Sequence, residues 1–140
     1  MNIAVGRILA FDWGLRNIGV AVGNAVLKTA EPCTVIRAKD GVPDWSDVEE
    51  LINTWQPDLL LVGEPLNLDG SDSDMASRAR RFARRLEGRF GIPVTLVDER
   101  LSSQEAKTQR RDRGGSADYV SQPVDAEAAC IILSTWLSEN

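Results

Sequence analysis

Arg7-Ile8-Leu9-Ala10-Phe11-Asp12 and Ile18-Gly19-Val20-Ala21-Val22-Gly23, joined by Trp13-Gly14-Leu15-Arg16-Asn17, decide the fold. Two short apolar runs around a glycine-containing turn predict a β-hairpin at the head of a sheet. A third strand fits Thr34 to Arg37. Further along, Trp45, Val48, Leu51, Ile52 and Trp55 have the spacing of an amphipathic helix, and Pro57 stops it. Asp58 to Val62 is almost wholly apolar, as a central strand covered on both faces must be. Ser71-x-x-Asp74 reads as a capping box that opens a helix with Met75, Ala79, Phe82, Ala83, Leu86 and Phe90 as its buried stripe. Gly91-Ile92-Pro93 breaks that helix, and Val94 to Val97 forms another buried-type strand ending at Asp98-Glu99. A helix is expected from Ser102 or Ser103, an irregular loop over residues 113–123, and a last helix from Asp125 to Leu137.

This order, a hairpin-led sheet followed by alternating strands and helices, predicts an α/β fold with parallel pairing in its second half. At 140 residues and 43% hydrophobic content the chain suits one domain over residues 1–140 with one core. No apolar stretch is long enough to span a bilayer, and Met1-Asn2-Ile3-Ala4-Val5 lacks the features of a signal peptide, so a cytoplasmic protein without membrane contact is expected. Cys33 and Cys130 match no metal or disulfide spacing and read as small core residues. The chain has no histidine, which excludes Ser-His-Asp and Cys-His nucleophiles, histidine zinc sites and an imidazole base. Hydrolysis here has to use carboxylates, lysine, hydroxyls or metal.

Three acids stand at element ends: Asp12 closes the first strand, Glu99 follows the last, and Asp125 opens the final helix. In open α/β sheets such ends converge on one rim. Like charges there, about 4 Å apart, repel by roughly 4 kcal/mol per pair at an effective dielectric of 20, which a cation relieves. All-oxygen ligands suit Mg²⁺ or Mn²⁺, and such ions activate water for attack at phosphorus. Each acid also has a structural explanation: Asp12 as a turn residue, Glu99 as the partner of Arg100 or another arginine, Asp125 as a helix cap. The residues alone leave both open.

A net charge of −5 disfavours a simple basic surface, but most of the 16 basic residues fall between Arg78 and Arg113. From residue 78 to 89 the arginines face a single acid, Glu87. They fall off the apolar stripe, as a solvated face or as phosphate contacts.

The chain resembles the YqgF family, whose members are described as pre-16S rRNA processing nucleases and as Holliday-junction-resolvase-like proteins. The resemblance covers nearly the whole chain. It rests on Leu9-Ala10-Phe11-Asp12-Trp13-Gly14 with Ile18 to Gly23, on Val62-Gly63-Glu64-Pro65-Leu66-Asn67-Leu68-Asp69-Gly70, on Asp98-Glu99-Arg100-Leu101-Ser102-Ser103 and on Val124-Asp125-Ala126-Glu127-Ala128-Ala129. It implies a ribonuclease H-like fold, a five-stranded mixed sheet flanked by helices, and hydrolysis of phosphodiesters with Mg²⁺ or Mn²⁺. Asp12, Glu99 and Asp125 then match the catalytic and metal-binding acids, and Arg78, Arg81 and Arg100 face the nucleic acid.

The implied substrate is precursor rRNA, with branched DNA or a non-catalytic nucleic-acid-binding role as alternatives, for a monomer or weak homodimer. A sugar-kinase-like ATPase is disfavoured because one domain cannot build a two-lobed cleft. The chain departs from the family pattern at Glu64, where members usually carry an apolar residue, and has no lysine beyond Lys107.

Overall fold

Arg7–Asp12 (β1) and Asn17–Asn24 (β2) form the expected hairpin, antiparallel from Arg7↔Asn24 to Asp12↔Gly19. The structure, a computed structural model, describes residues 6–67, 69–99 and 121–140. The third strand, Thr29–Lys39 (β3), is longer than the Thr34–Arg37 expected and runs through Pro32. A bulge accommodates the proline: Val20 pairs with Thr34 but Ala21 with Pro32, so Cys33 is the extra residue. Val42–Pro43 (β4) pairs with the end of β3 and makes a sixth strand where five were expected, too short for an alternation pattern to reveal. Leu59–Glu64 (β5) and Val94–Asp98 (β6) complete the sheet in the order β4-β3-β2-β1-β5-β6, with β1, β5 and β6 parallel.

β5 begins one residue later than expected because Asp58 ties the strand starts together. Its carboxylate accepts from Gly6 and Arg7 N–H at 3.0 and 3.1 Å. Trp45–Trp55 (α1) is capped by Asp44, which accepts from Ser46 N–H. Asp74–Phe90 (α2) is capped by Ser73, not Ser71; the Ser73 hydroxyl accepts from Ala76 N–H at 2.9 Å and donates to the Pro65 carbonyl. Ser71 belongs instead to a turn held by Asp69. The last helix, Ser121–Glu139 (α3), begins four residues before Asp125. Pro123 does not prevent this, because the first turn of a helix has no intrahelical use for its N–H. The helix expected near Ser102 and residues 113–120 of the expected loop lie outside the described residues.

Side-chain alternation sends the central strands into two cores. Leu9, Phe11, Leu60 and Val62 pack with Val48 of α1 and Ala79, Phe82, Ala83 and Leu86 of α2. Ile8, Ala10, Leu59 and Leu61 pack with Ala129, Ile132, Leu133 and Leu137 of α3. Cys33 and Cys130 are half-buried at the edges of these cores. No described helix is long and apolar enough to cross a membrane.

The register of α3 on β2 positions the site. A Cβ on Gly19 would fall on the Asp125 carbonyl, and one on Gly23 would meet Leu133 Cδ2 at 2.6 Å. Asp125 to Leu133 is about 12 Å of helix at ~1.5 Å per residue, and Gly19 to Gly23 about 13 Å of strand at ~3.3 Å per residue. The two elements therefore run alongside each other in the same direction. Bare backbone at both points lets the helix lie closer than any side chain would permit.

Candidate active site

Asp12 ends β1 on the α3 side of the sheet, in the alternation of Ile8 and Ala10. Its partner on β2 is Gly19, and the β1–β5 register places Gly63 one step beyond the Phe11↔Val62 pair. A glycine therefore flanks the carboxylate on each side. Against Gly19 rests the backbone of Asp125. Over Gly63 lies the Glu99 side chain, whose Cδ and Cγ would stand 2.5 and 2.6 Å from a Cβ there. Glu99 is anchored by its own N–H, which donates to the Glu64 carbonyl at 3.1 Å, and is only 8% exposed.

These contacts bring together the acids expected from sequence. Asp12 and Glu99 share a hydrogen bond, and the charge of Asp125 acts on Asp12. Two carboxylates can share such a bond only around a proton. Burial, foremost, pushes Asp12 up to about 6, with the Asp125 charge adding and the Glu99 hydrogen bond opposing. Burial likewise leads in pushing Glu99 up to about 9, joined by the Asp12 charge, their hydrogen bond and Asp98. Burial also raises Asp125. Among the described residues, no basic side chain offsets the charge of these acids. As arranged, no three acids among the described residues stand close enough to ligate one ion.

The structural explanations for the acids fare unevenly. Asp125 lies inside α3 and is not its cap, and Asp12 is a strand residue, not a turn residue. Arg100, expected at the nucleic acid and as a partner of Glu99, lies outside the described residues. Glu64 falls on the opposite face, where its carboxylate accepts from Arg80 at 2.8 Å. Arg80 also reaches Asp72 at 3.2 Å, so this pair braces α2 against β5 and adds no acid to the cluster.

The flanking glycines were missed from sequence. The signal was available: glycine inside an apolar strand marks a close approach by another group.

The raised acids make stability depend on pH. Folded Asp12 and Glu99 keep protons that the unfolded chain releases near its ordinary carboxylate values of 3.8 and 4.5. The folded state therefore binds more protons, and stability present below about pH 4 is lost as pH rises through about 6 and then 9. Thermal melts in chelator should fall from pH 5 to pH 9, and a divalent cation, which replaces the protons, should flatten the decline. A melting temperature rising across that window would contradict the arrangement.

Residues 6–139 match the family model described as "RuvX: Holliday junction resolvase". A protein of Pseudomonas fluorescens (strain SBW25) named "Putative pre-16S rRNA nuclease" is 51% identical over 99% of this chain and 96% of its own. A protein of the same name from Haemophilus ducreyi is 49% identical over 95% of this chain and 96% of its own. Among solved structures, Thermus thermophilus RuvC in complex with a Holliday junction substrate superposes with a TM-score of 0.57 at 15% identity, covering 96% of each chain. Fowlpox virus resolvase, solved with Holliday junction DNA, gives 0.59 at 11% identity over 95% of this chain and 97% of that one. These two likenesses bear on fold and agree with the ribonuclease H-like architecture. With a family model spanning almost the whole chain and full-length relatives at about half identity, this chain belongs to the RuvX (YqgF) family.

Proposed function

We propose that the protein is a metal-dependent nuclease, a hydrolase of phosphodiester bonds, that processes the 5′ end of precursor 16S rRNA in the cytoplasm. The observation that carries this reading is the Asp12–Glu99 contact over Gly63, with Asp125 held beside it across Gly19. Acids that must hold protons to coexist form a site suited to cations. The names of the full-length relatives supply the substrate class.

The donor set fits a hard divalent cation. Every donor is a carboxylate oxygen, and the chain has no histidine. Asp12 and Glu99, which are in contact, would hold Mg²⁺ or Mn²⁺ in place of their shared proton, and Asp125 would join them only by moving in from its place beside Gly19; the ion when bound would supply an activated water and neutralise charge developing at phosphorus. The chain's own residues do the rest. Glu99, anchored through Glu64, fixes one side of the site, and α3 fixes the other through Gly19. The functional unit is one domain over residues 1–140, acting as a monomer or weak homodimer.

A direct test incubates purified protein with precursor 16S rRNA 5′ ends and with four-way DNA junctions, with and without Mn²⁺. Trimming of the RNA that needs the ion is expected. Cleavage of junctions alone would favour resolvase activity, the description attached to the matching family model. Binding of both without cleavage of either would make the protein a binding factor.

A further inference from the structure

β3 has an open edge along most of its length. On one side it pairs with β2 from Thr29 to Arg37, but on the other β4 pairs only with Ala38 and Lys39. Ala38 donates its N–H to the carbonyl of Arg16, just before β2, at 2.8 Å. Peptide groups alternate in direction along an antiparallel strand, so the N–H and C=O of Val35 and Arg37 point away from β2. No described strand pairs with them. Such an edge is a template for another chain, and proteins usually blunt it. Here Pro32 and the bulge at Cys33 blunt one end and β4 closes the other, which leaves Thr34 to Arg37 as a window.

A groove runs along this window. Thr34 to Arg37 form one wall and Asp47, Glu50, Leu51 and Thr54 of α1 the other, around about 460 Å³. Binding clefts usually span ~300–1,000 Å³. α1 runs antiparallel to β3: β4 leads into its start beside Ala38, and a hydrogen bond joins Cys33 to Trp55 at its end. Asp47 to Thr54 covers about 10.5 Å at ~1.5 Å per residue, and Thr34 to Arg37 about 10 Å at ~3.3 Å per residue. The two walls match in length and leave room for one extended segment between them.

We propose that this groove docks a basic, extended segment of a partner protein, which adds to β3 as a further strand. The proposal does not depend on the nuclease reading. Main-chain hydrogen bonds to Val35 and Arg37 supply the pairing, and the acids of α1 select the partner. α1 carries Asp47, Glu49 and Glu50, is capped by Asp44 and contains no lysine or arginine. Asp47 and Glu50 are exposed and form no ion pair among the described residues. Arg37, exposed on the facing wall, forms none either, so it leaves the acids uncompensated. Nucleic acid has the wrong charge for such a wall, because its phosphates would meet carboxylates. A second copy of the chain would bring the same acids with its own β3, and like charges would meet. The pairs Asp12↔Gly19 and Gly19↔Val35 set the edge two strands from Asp12, about 10 Å at ~4.8 Å per strand.

Amide hydrogen exchange in the free protein tests whether the edge is open. The Val35 and Arg37 amides should exchange at least about tenfold faster than that of Ile36, which is turned toward β2. Protection that grows with protein concentration would put a second copy on the edge, and protection in dilute protein would put a segment of this chain there. Either result overturns the proposal. The probe for the partner is a short labelled peptide that alternates lysine with threonine, titrated at low salt and followed by fluorescence polarisation. Its binding should slow exchange at Val35 and Arg37.

Asp47→Asn with Glu50→Gln should weaken that peptide about three- to tenfold, as the loss of two exposed charge contacts does. Glutamate in place of lysine in the peptide should abolish binding. Two further peptides, N-methylated either at every lysine or at every threonine, keep the charge and remove alternate N–H donors. One of them should bind at least about tenfold more weakly than the other, because a strand offers alternate N–H groups to opposite sides. No binding of the lysine peptide, no change with Asp47→Asn and Glu50→Gln, or equal binding of the two methylated peptides would each overturn the docking site.

Discussion

Asp12→Asn should lower divalent-metal-dependent cleavage by on the order of 10³-fold, about 4 kcal/mol of transition-state stabilisation, and should yield a folded protein that melts at a higher temperature. The two effects have one cause. On the proposed mechanism Asp12 attracts the ion because its charge is buried beside Glu99 and Asp125. Without the ion, that same charge opposes folding. Asparagine keeps the shape and can still bond to Glu99 while removing the like charge. The gain should be on the order of 1–2 kcal/mol at neutral pH, or a few degrees for a chain of this size. It should widen toward pH 9, where Glu99 gives up its proton in the wild type. Single-turnover cleavage and melting in chelator provide the two readouts. Undiminished cleavage, or a lower melting temperature, would break the link between acid clustering and metal use.

Gly63→Ala and Gly19→Ala should each lower cleavage by about 10²-fold without altering any acid. At Gly63 a methyl group meets Glu99 Cγ and Ile132 Cδ1 at 2.6 Å, so the carboxylate has to leave its place over β5. At Gly19 it falls on the Asp125 carbonyl, which is backbone, so the start of α3 has to lift away from β2. Displacements near 1 Å in a site that positions reacting groups cost about 10²-fold in rate. Overpacking should also cost roughly 1–3 kcal/mol of stability.

Gly88 in α2 is the control. Nothing lies within 4 Å of a Cβ there, so Gly88→Ala should leave cleavage unchanged and stabilise the protein by about 0.5–1 kcal/mol. If all three variants cleave like wild type while Gly63→Ala and Gly19→Ala lose stability, the glycines are packing residues with no role in placing the acids.

The candidate acids were legible in sequence as carboxylates at element ends. What the sequence could not distinguish was a functional acid from a cap. Asp125 shows why: Pro123 and the polar residues around it suggest a boundary, yet α3 starts at Ser121 and carries Asp125 into its second turn. Glu64 shows the converse. It stands in a motif next to Gly63, but strand alternation turns it toward Arg80, while its backbone carbonyl anchors Glu99. The arginines of α2 form one basic stretch in sequence; in the structure Arg80 is a brace, Arg89 stacks on Trp45, and Arg78 and Arg81 wall a cleft where Asp40 holds Arg78 at 3.3 Å.

From the order of residues alone came the hairpin, the buried central strand, the helical stripe of α2, the family and the candidate acids. Period and motif are local properties, written in the side chains themselves. Tertiary structure alone decided that Asp12 sits between two glycines, that α3 keeps step with β2 so that Asp125 arrives at its side, and that Asp40 occupies Arg78. Those facts depend on how closely one backbone approaches another. No residue encodes that distance by itself; it arises when separate elements pack against one sheet.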